Sequence, residues 1–123
     1  MHKFKELKVW QEAMELTKLV YIATKSFPGE EKFGLTSQIN RAAVSIPSNI
    51  AEGAGRNYDK EFLQFLSIAL GSAFELETQL LLAQSFGFIS PENARVLLEK
   101  TDKVQRMINS FRRTLLKKFE TKI

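Results

Sequence analysis

The residues able to do chemistry are few, and their spacing limits what they can do. The only histidine is His2, expected at a mobile terminus, and there is no cysteine. No Glu-x-x-His pair is present, so the di-metal carboxylate site that helical bundles often carry cannot be built. Neither a Gly-x-Ser-x-Gly nucleophile turn nor a phosphate-binding glycine loop occurs. A hydrolase or metal enzyme would need a carboxylate cluster that no local spacing provides. The sequence therefore points away from catalysis, and it implies no metal and no cofactor.

Glu77 is the one acid in an unusual place. At helical spacing it falls between Leu66 and Leu70, inside an apolar sector. A carboxylate there needs a partner or must stay protonated. Arg41 or Asn49 could supply that partner, within one chain or across a subunit boundary. A structural ion pair or hydrogen-bond network is favoured over a catalytic role, because one carboxylate without a base or metal does little.

A second group lies between Gln38 and Arg56. Gln38, Arg41, Ser45, Asn49, Glu52 and Arg56 recur every three or four residues. Ser and Asn compete for backbone hydrogen bonds and are poor in mid-helix. Small polar residues between two arginines suit a face pressed against something. The end of this stripe, Asn49, Glu52 and Arg56, is the expected interface or ligand contact.

The third group is cationic. Lys103, Arg106, Arg112, Arg113, Lys117, Lys118 and Lys122 stand against Glu120 alone, a net of +6 in a chain of net charge +4. Cations suit a helix C-terminus and keep a surface soluble. They also form a footprint for phosphates, with Arg106, Arg112, Arg113, Lys117 and Lys118 as the candidate nucleic-acid contacts. No RNA-recognition, KH or zinc-knuckle signature accompanies them.

These residues need elements to hold them. The chain has 123 residues, three prolines and six glycines, a distribution that favours one domain of long helices. A first helix is expected from about Lys5 to Ser26, ended by Phe27-Pro28-Gly29. It carries two rows, Leu7–Trp10–Met14–Thr17–Tyr21–Thr24 and Val9–Ala13–Leu16–Val20–Ala23–Phe27. Glu30 to Gly34 could form a helical turn. The second helix, about Leu35 to Ala54, buries Leu35, Ile39, Ala43, Ile46 and Ile50; Pro47 should kink it. Gly53 and Gly55 supply flexible or left-handed backbone at its end, and Asn57 or Asp59 should cap the next helix.

The third helix, about Asp59 to Ser85, repeats every seven residues through Phe62, Leu66, Ala69, Ala73, Leu76, Leu80 and Ala83. Leu63, Leu70, Phe74 and Leu81 widen its stripe, and Ile68 and Leu82 add more apolar surface. Ser90-Pro91-Glu92 starts a fourth helix through Ala94, Leu97, Thr101, Val104, Ile108, Phe111 and Leu115 to about Lys118. The fold class is all-α, an antiparallel up-down-up-down four-helix bundle over residues 1–123. No apolar run approaches the ~20 residues of a membrane span, and the N-terminus lacks a signal-peptide core. A cytoplasmic location with no membrane contact is expected. The apolar surface exceeds what one bundle covers, so copies should assemble.

The run Arg41-Ala42-Ala43-Val44-Ser45-Ile46-Pro47-Ser48-Asn49-Ile50-Ala51-Glu52-Gly53, followed by Arg56, resembles the signature of the bacterial 23S ribosomal RNA intervening-sequence proteins. The likeness extends through 7–13, Phe27-Pro28, Phe33-Gly34-Leu35, 61–66, 69–73 and 75–80. Tyr58 departs from it, standing where such proteins commonly have a Ser able to cap the third helix. The resemblance implies a four-helix bundle that forms a ring, a homopentamer, encoded inside large-subunit rRNA genes and often labelled ribosomal. A related branch resembles the accessory protein of diversity-generating retroelements, a basic ring that binds nucleic acid and a reverse transcriptase. The function expected is RNA or other nucleic-acid binding by a homo-oligomer. The alternative is an assembly scaffold that recruits a protein partner.

Overall fold

The computed structural model describes residues 1–121, and these form four helices. A 3-10 turn, Phe4–Glu6, precedes α1 (Lys8–Thr24); a second, Gly29–Glu31, leads to α2 (Leu35–Ala54). Then come α3 (Asp59–Ser85) and α4 (Pro91–Thr121), with no strand among the described residues. α2 and α3 start and stop where their periodicity places them. α1 does not begin at Lys5, because Leu7 is extended (φ −76°, ψ 123°) and breaks the helix from the turn before it. Gln11 stabilises the break, its Nε2 donating to the Lys5 carbonyl at 2.9 Å.

The helices run antiparallel in sequence order. Thr17 meets Ala43 and Thr24 meets Asn40, so α1 and α2 pass in opposite senses. Ser45 against Ser72, and Gly53 against Phe62 and Phe65, do the same for α2 and α3. Lys103 reaches Glu12, while His2 lies on Phe111, closing α4 against α1. Every member of the seven-residue row of α3 is buried, as is every member of the α4 row except the half-buried Phe111. Interlocking rows of this kind give a bundle its single core.

Two termini show how local chemistry sets the ends. Gly87, at φ 78°, stops α3 by letting Gly87 N donate to Gln84 O and Phe88 N to Ala83 O, a left-handed closing turn that only glycine enters freely. Ser90 Oγ accepts from Asn93 N at 3.2 Å and Pro91 fills the first position of α4, as its sequence signal requires. The expected cap of α3 is absent: Tyr58 occupies the position without a side-chain bond, and Asp59 is the first helical residue.

Pro47 sits buried inside an unbroken α2. It has no N–H for the Ala43 carbonyl four residues back. Thr17 Oγ1 of α1 lies 3.0 Å from that carbonyl and 2.8 Å from Ala13 O, so its one hydroxyl hydrogen is shared between the two acceptors. Gly53 is not the flexible terminus its neighbours suggest, since Gly55 closes α2 with right-handed backbone. A Cβ at Gly53 would lie 2.6 Å from Phe65 Cβ and 2.7 Å from Phe62 Cδ1, so its role is close approach between α2 and α3.

By length and composition α3 could cross a membrane, which modifies the expectation drawn from uninterrupted apolar runs. Its apolarity has another source. One row fills the bundle core, and Ile68, Phe74, Leu81 and Leu82 project outward beside it.

Candidate nucleic-acid and assembly surfaces

The polar stripe of α2 divides into an inner and an outer part. Ser45 Oγ lies 2.8 Å from Ser72 Oγ of α3, and Asn49 Nδ2 donates to Ser45 O at 2.8 Å and to Ser45 Oγ at 3.0 Å. Part of what this face presses against is therefore α3 of the same chain, and small side chains are what that approach admits. Gln38, Arg41, Glu52 and Arg56 are exposed. Arg56 pairs with Glu52 at 3.2 Å and its guanidinium stands 4.8 Å from the Phe65 ring centroid.

Glu77 is half-buried and held, but not by Arg41 or Asn49. Gln105 Nε2 of α4 donates to Glu77 Oε1 at 2.8 Å and lies 3.4 Å from Ala73 O. Glu77 turns toward α4, whereas Arg41 points off the outer side of α2 and has no partner among the described residues. The expected contact between them is not made within the chain. A neutral amide can bond the carboxylate without a buried charge pair, which lowers the cost of desolvation.

The cations of α4 separate by direction. Arg106, Arg113 and Lys117 recur at spacings of seven and four and are all exposed. Arg106 pairs with Asp102 at 3.0 Å, one turn back, and Arg113 extends without a partner among the described residues. Arg112 turns inward instead. It donates to Asn109 Oδ1 at 3.1 Å and its Nε is buried with no hydrogen-bond partner, so its candidacy as a nucleic-acid contact is weakened by burial. Lys118 leans toward Asp59 at 4.0 Å. Lys122 lies outside the described residues.

His2 is docked, against the expectation of a mobile terminus. Its backbone N donates to Ala54 O at 2.8 Å, serving a carbonyl left open at the end of α2. Its ring packs against Phe62 and Phe111 at centroid distances of 5.0 and 6.0 Å, and Nε2 lies 3.0 Å from Asp59 Oδ1. That hydrogen bond is the main reason the Asp59 carboxyl is held below its ordinary value; the charges of His2, Lys118 and the chain terminus assist, and burial opposes. Periodicity could not have revealed this cluster, because one His near an end carries none. Its only local signal is the aromatic pair Phe4 and Trp10, whose rings stack edge-on at 5.2 Å and tie the segment down.

No group of three His, Cys, Asp or Glu side chains is placed to hold a metal among the described residues. The feature that stands out is apolar: Phe74 and Leu81, two turns apart on α3, are each 50 % exposed, and Ile68 and Leu82 are exposed nearby. Exposed apolar rows of this length mark contact surfaces more often than inert ones.

Comparison with known proteins agrees with the architecture. A crystal structure of a protein with unknown function from the S23 ribosomal protein family of Bacteroides thetaiotaomicron superposes with a TM-score of 0.77. It is 24 % identical, and the match covers 84 % of this chain and 96 % of that one, a likeness of fold. No curated protein matches the sequence significantly. Residues 5–110 match the model of the family described as 23S rRNA-intervening sequence protein. That match spans α1, α2, α3 and most of α4, and the chain belongs to the 23S rRNA-intervening sequence protein family.

Proposed function

We propose that this chain is a non-enzymatic, self-associating helical bundle that binds nucleic acid, RNA first among the candidates, through the basic end of α4. The observation that carries the reading is the exposed row Arg106, Arg113 and Lys117, on a helix whose described residues from Lys103 onward hold six cations against Glu120. Such a row neutralises phosphates without reading bases, and each neutralised phosphate releases counterions. The family's association with 23S rRNA intervening sequences supports RNA as the polyanion. Self-association rests on the outward apolar row of α3, and a homopentameric ring is the form the family resemblance suggests. The protein is taken as cytoplasmic, working without a membrane, metal or cofactor.

The test is fluorescence anisotropy with a structured RNA at 50 and 200 mM salt. Binding that weakens steeply with salt is expected, and Arg106→Gln/Arg113→Gln/Lys117→Gln should flatten the slope by about one for each cation neutralised. Binding indifferent to salt, or no binding at low salt, overturns the reading. The second reading, a scaffold for a protein partner, is favoured by the α3 row alone; it requires function to survive reversal of Arg112, Arg113, Lys117 and Lys118.

A further inference from the structure

Phe33, on the α1–α2 connection, is 90 % exposed, more than any other large apolar side chain among the described residues. It does not hang on a loose loop. Lys32 N donates to Gly29 O at 3.1 Å and Gly34 N to Glu31 O at 3.0 Å. Glu31 Oε1 then accepts from Leu35 N at 3.2 Å, at the start of α2. The backbone on both sides of the ring is therefore closed by hydrogen bonds, and the ring is held out from it. Near the same end of the bundle a groove lies between the last turns of α1 and the first turns of α4. It measures about 190 Å³ and is lined by Leu19, Ile22, Ala23, Val96 and Leu97, with Asn93 the one polar member. Ile22 and Val96 are exposed, so the chain leaves its own groove unfilled.

Building on the self-association reading, we infer that Phe33 is the anchor by which one copy docks on the next, its ring seated in the α1–α4 groove of a second copy. Charge favours that seating. At helical spacing Lys18 and Lys25 flank Ile22, and Lys100 follows Val96 by one turn. These three stand against Glu15 and Glu92, and none of the three makes an ion pair among the described residues. The turn that carries Phe33 has the opposite balance, Glu30 and Glu31 against Lys32. An aromatic side chain on an ordered turn loses little freedom on binding, and filling an apolar pocket is how such anchors contribute most. Knob and groove are separate patches of one chain, so each copy gives one and receives one. A contact of that kind passes from copy to copy until a ring closes. It is distinct from the α3 row, because neither Phe74 nor Leu81 lines the groove.

Light scattering over a concentration series compares wild type, Phe33→Asp, Ile22→Glu/Val96→Glu, and an equal mixture of the two variants. The replaced side chains are all exposed, so helix content by circular dichroism should stay at the wild-type value. Each variant alone should raise the concentration of half-assembly by about tenfold or more, the loss expected when a pocket anchor is removed. In the mixture an intact Phe33 still meets an intact groove. A species of two chains should return at concentrations where either variant alone is a single chain. If wild type assembles and Phe33→Asp assembles at the same concentrations, or if the mixture recovers nothing, the Phe33 contact is overturned while self-association through the α3 row stands. Wild type that stays a single chain throughout overturns both.

Discussion

At the scale of single residues, the sequence showed where a hydrogen bond would be missing but not what would replace it. Pro47 predicts an open carbonyl at Ala43; that Thr17 of another helix serves it follows only from the packing of α1 on α2. Thr17→Val keeps the shape and removes the donor. It should cost about 1–3 kcal/mol in chemical denaturation, and Thr17→Ser should recover most of that. Asp59 makes a second prediction. Its carboxyl is held below the ordinary value of 3.8, chiefly by the His2 hydrogen bond. A lowered folded value means the contribution is full above the ordinary value and is lost as pH falls through the depressed one. The thermal midpoint of wild type should therefore fall as acid is added below about pH 4, and the slope should be shallower in Asp59→Asn. Equal slopes in the two proteins would refute the assignment.

At the scale of helices, periodicity did most of the work. The seven-residue rows of α3 and α4 name their buried residues almost without error, because burial on one face is what the repeat encodes. The misreadings fall where a contact, not a period, decides. Extended backbone at Leu7 separates α1 from the turn before it, with Gln11 bonding back to Lys5 O, and Gly53 resembles a helix terminator while serving as the gap into which Phe62 and Phe65 pack. Propensity and packing thus oppose one another at Gly53. Alanine would favour the helix by about 1 kcal/mol, but its Cβ would collide with α3. Overpacking of this kind costs about 1–3 kcal/mol, so Gly53→Ala should be net destabilising by denaturant titration. The site residues were legible as types and faces only. The apolar sector around Glu77 points to a charged partner such as Arg41, whereas the amide of Gln105 reaches it through the pairing of α3 with α4, which no local spacing encodes.

At the scale of the whole molecule, the surface is polarised. Ile22, Phe33, Phe86 and Val96 are exposed toward the end that holds the α1–α2 and α3–α4 connections, while the basic segments gather at the opposite end. Between them run Phe74 and Leu81. Phe74→Glu/Leu81→Glu should leave helix content by circular dichroism unchanged and reduce the mass measured by light scattering to that of one chain. An assembly that keeps its mass would move the contact to another face. Net charge alone could not reveal this division, since it requires knowing that the first and last turns of the chain become neighbours.

That neighbourhood has a practical side. Met1 and Phe119 line one depression together with Tyr58, Asp59 and Lys60. A purification handle fused ahead of Met1 would crowd this end and mask or mimic the proposed RNA contact, particularly a polyhistidine. The turn at Gly29–Glu31 and the protruding Phe33 lie at the far end, where a fluorophore would report on the molecule without touching that surface.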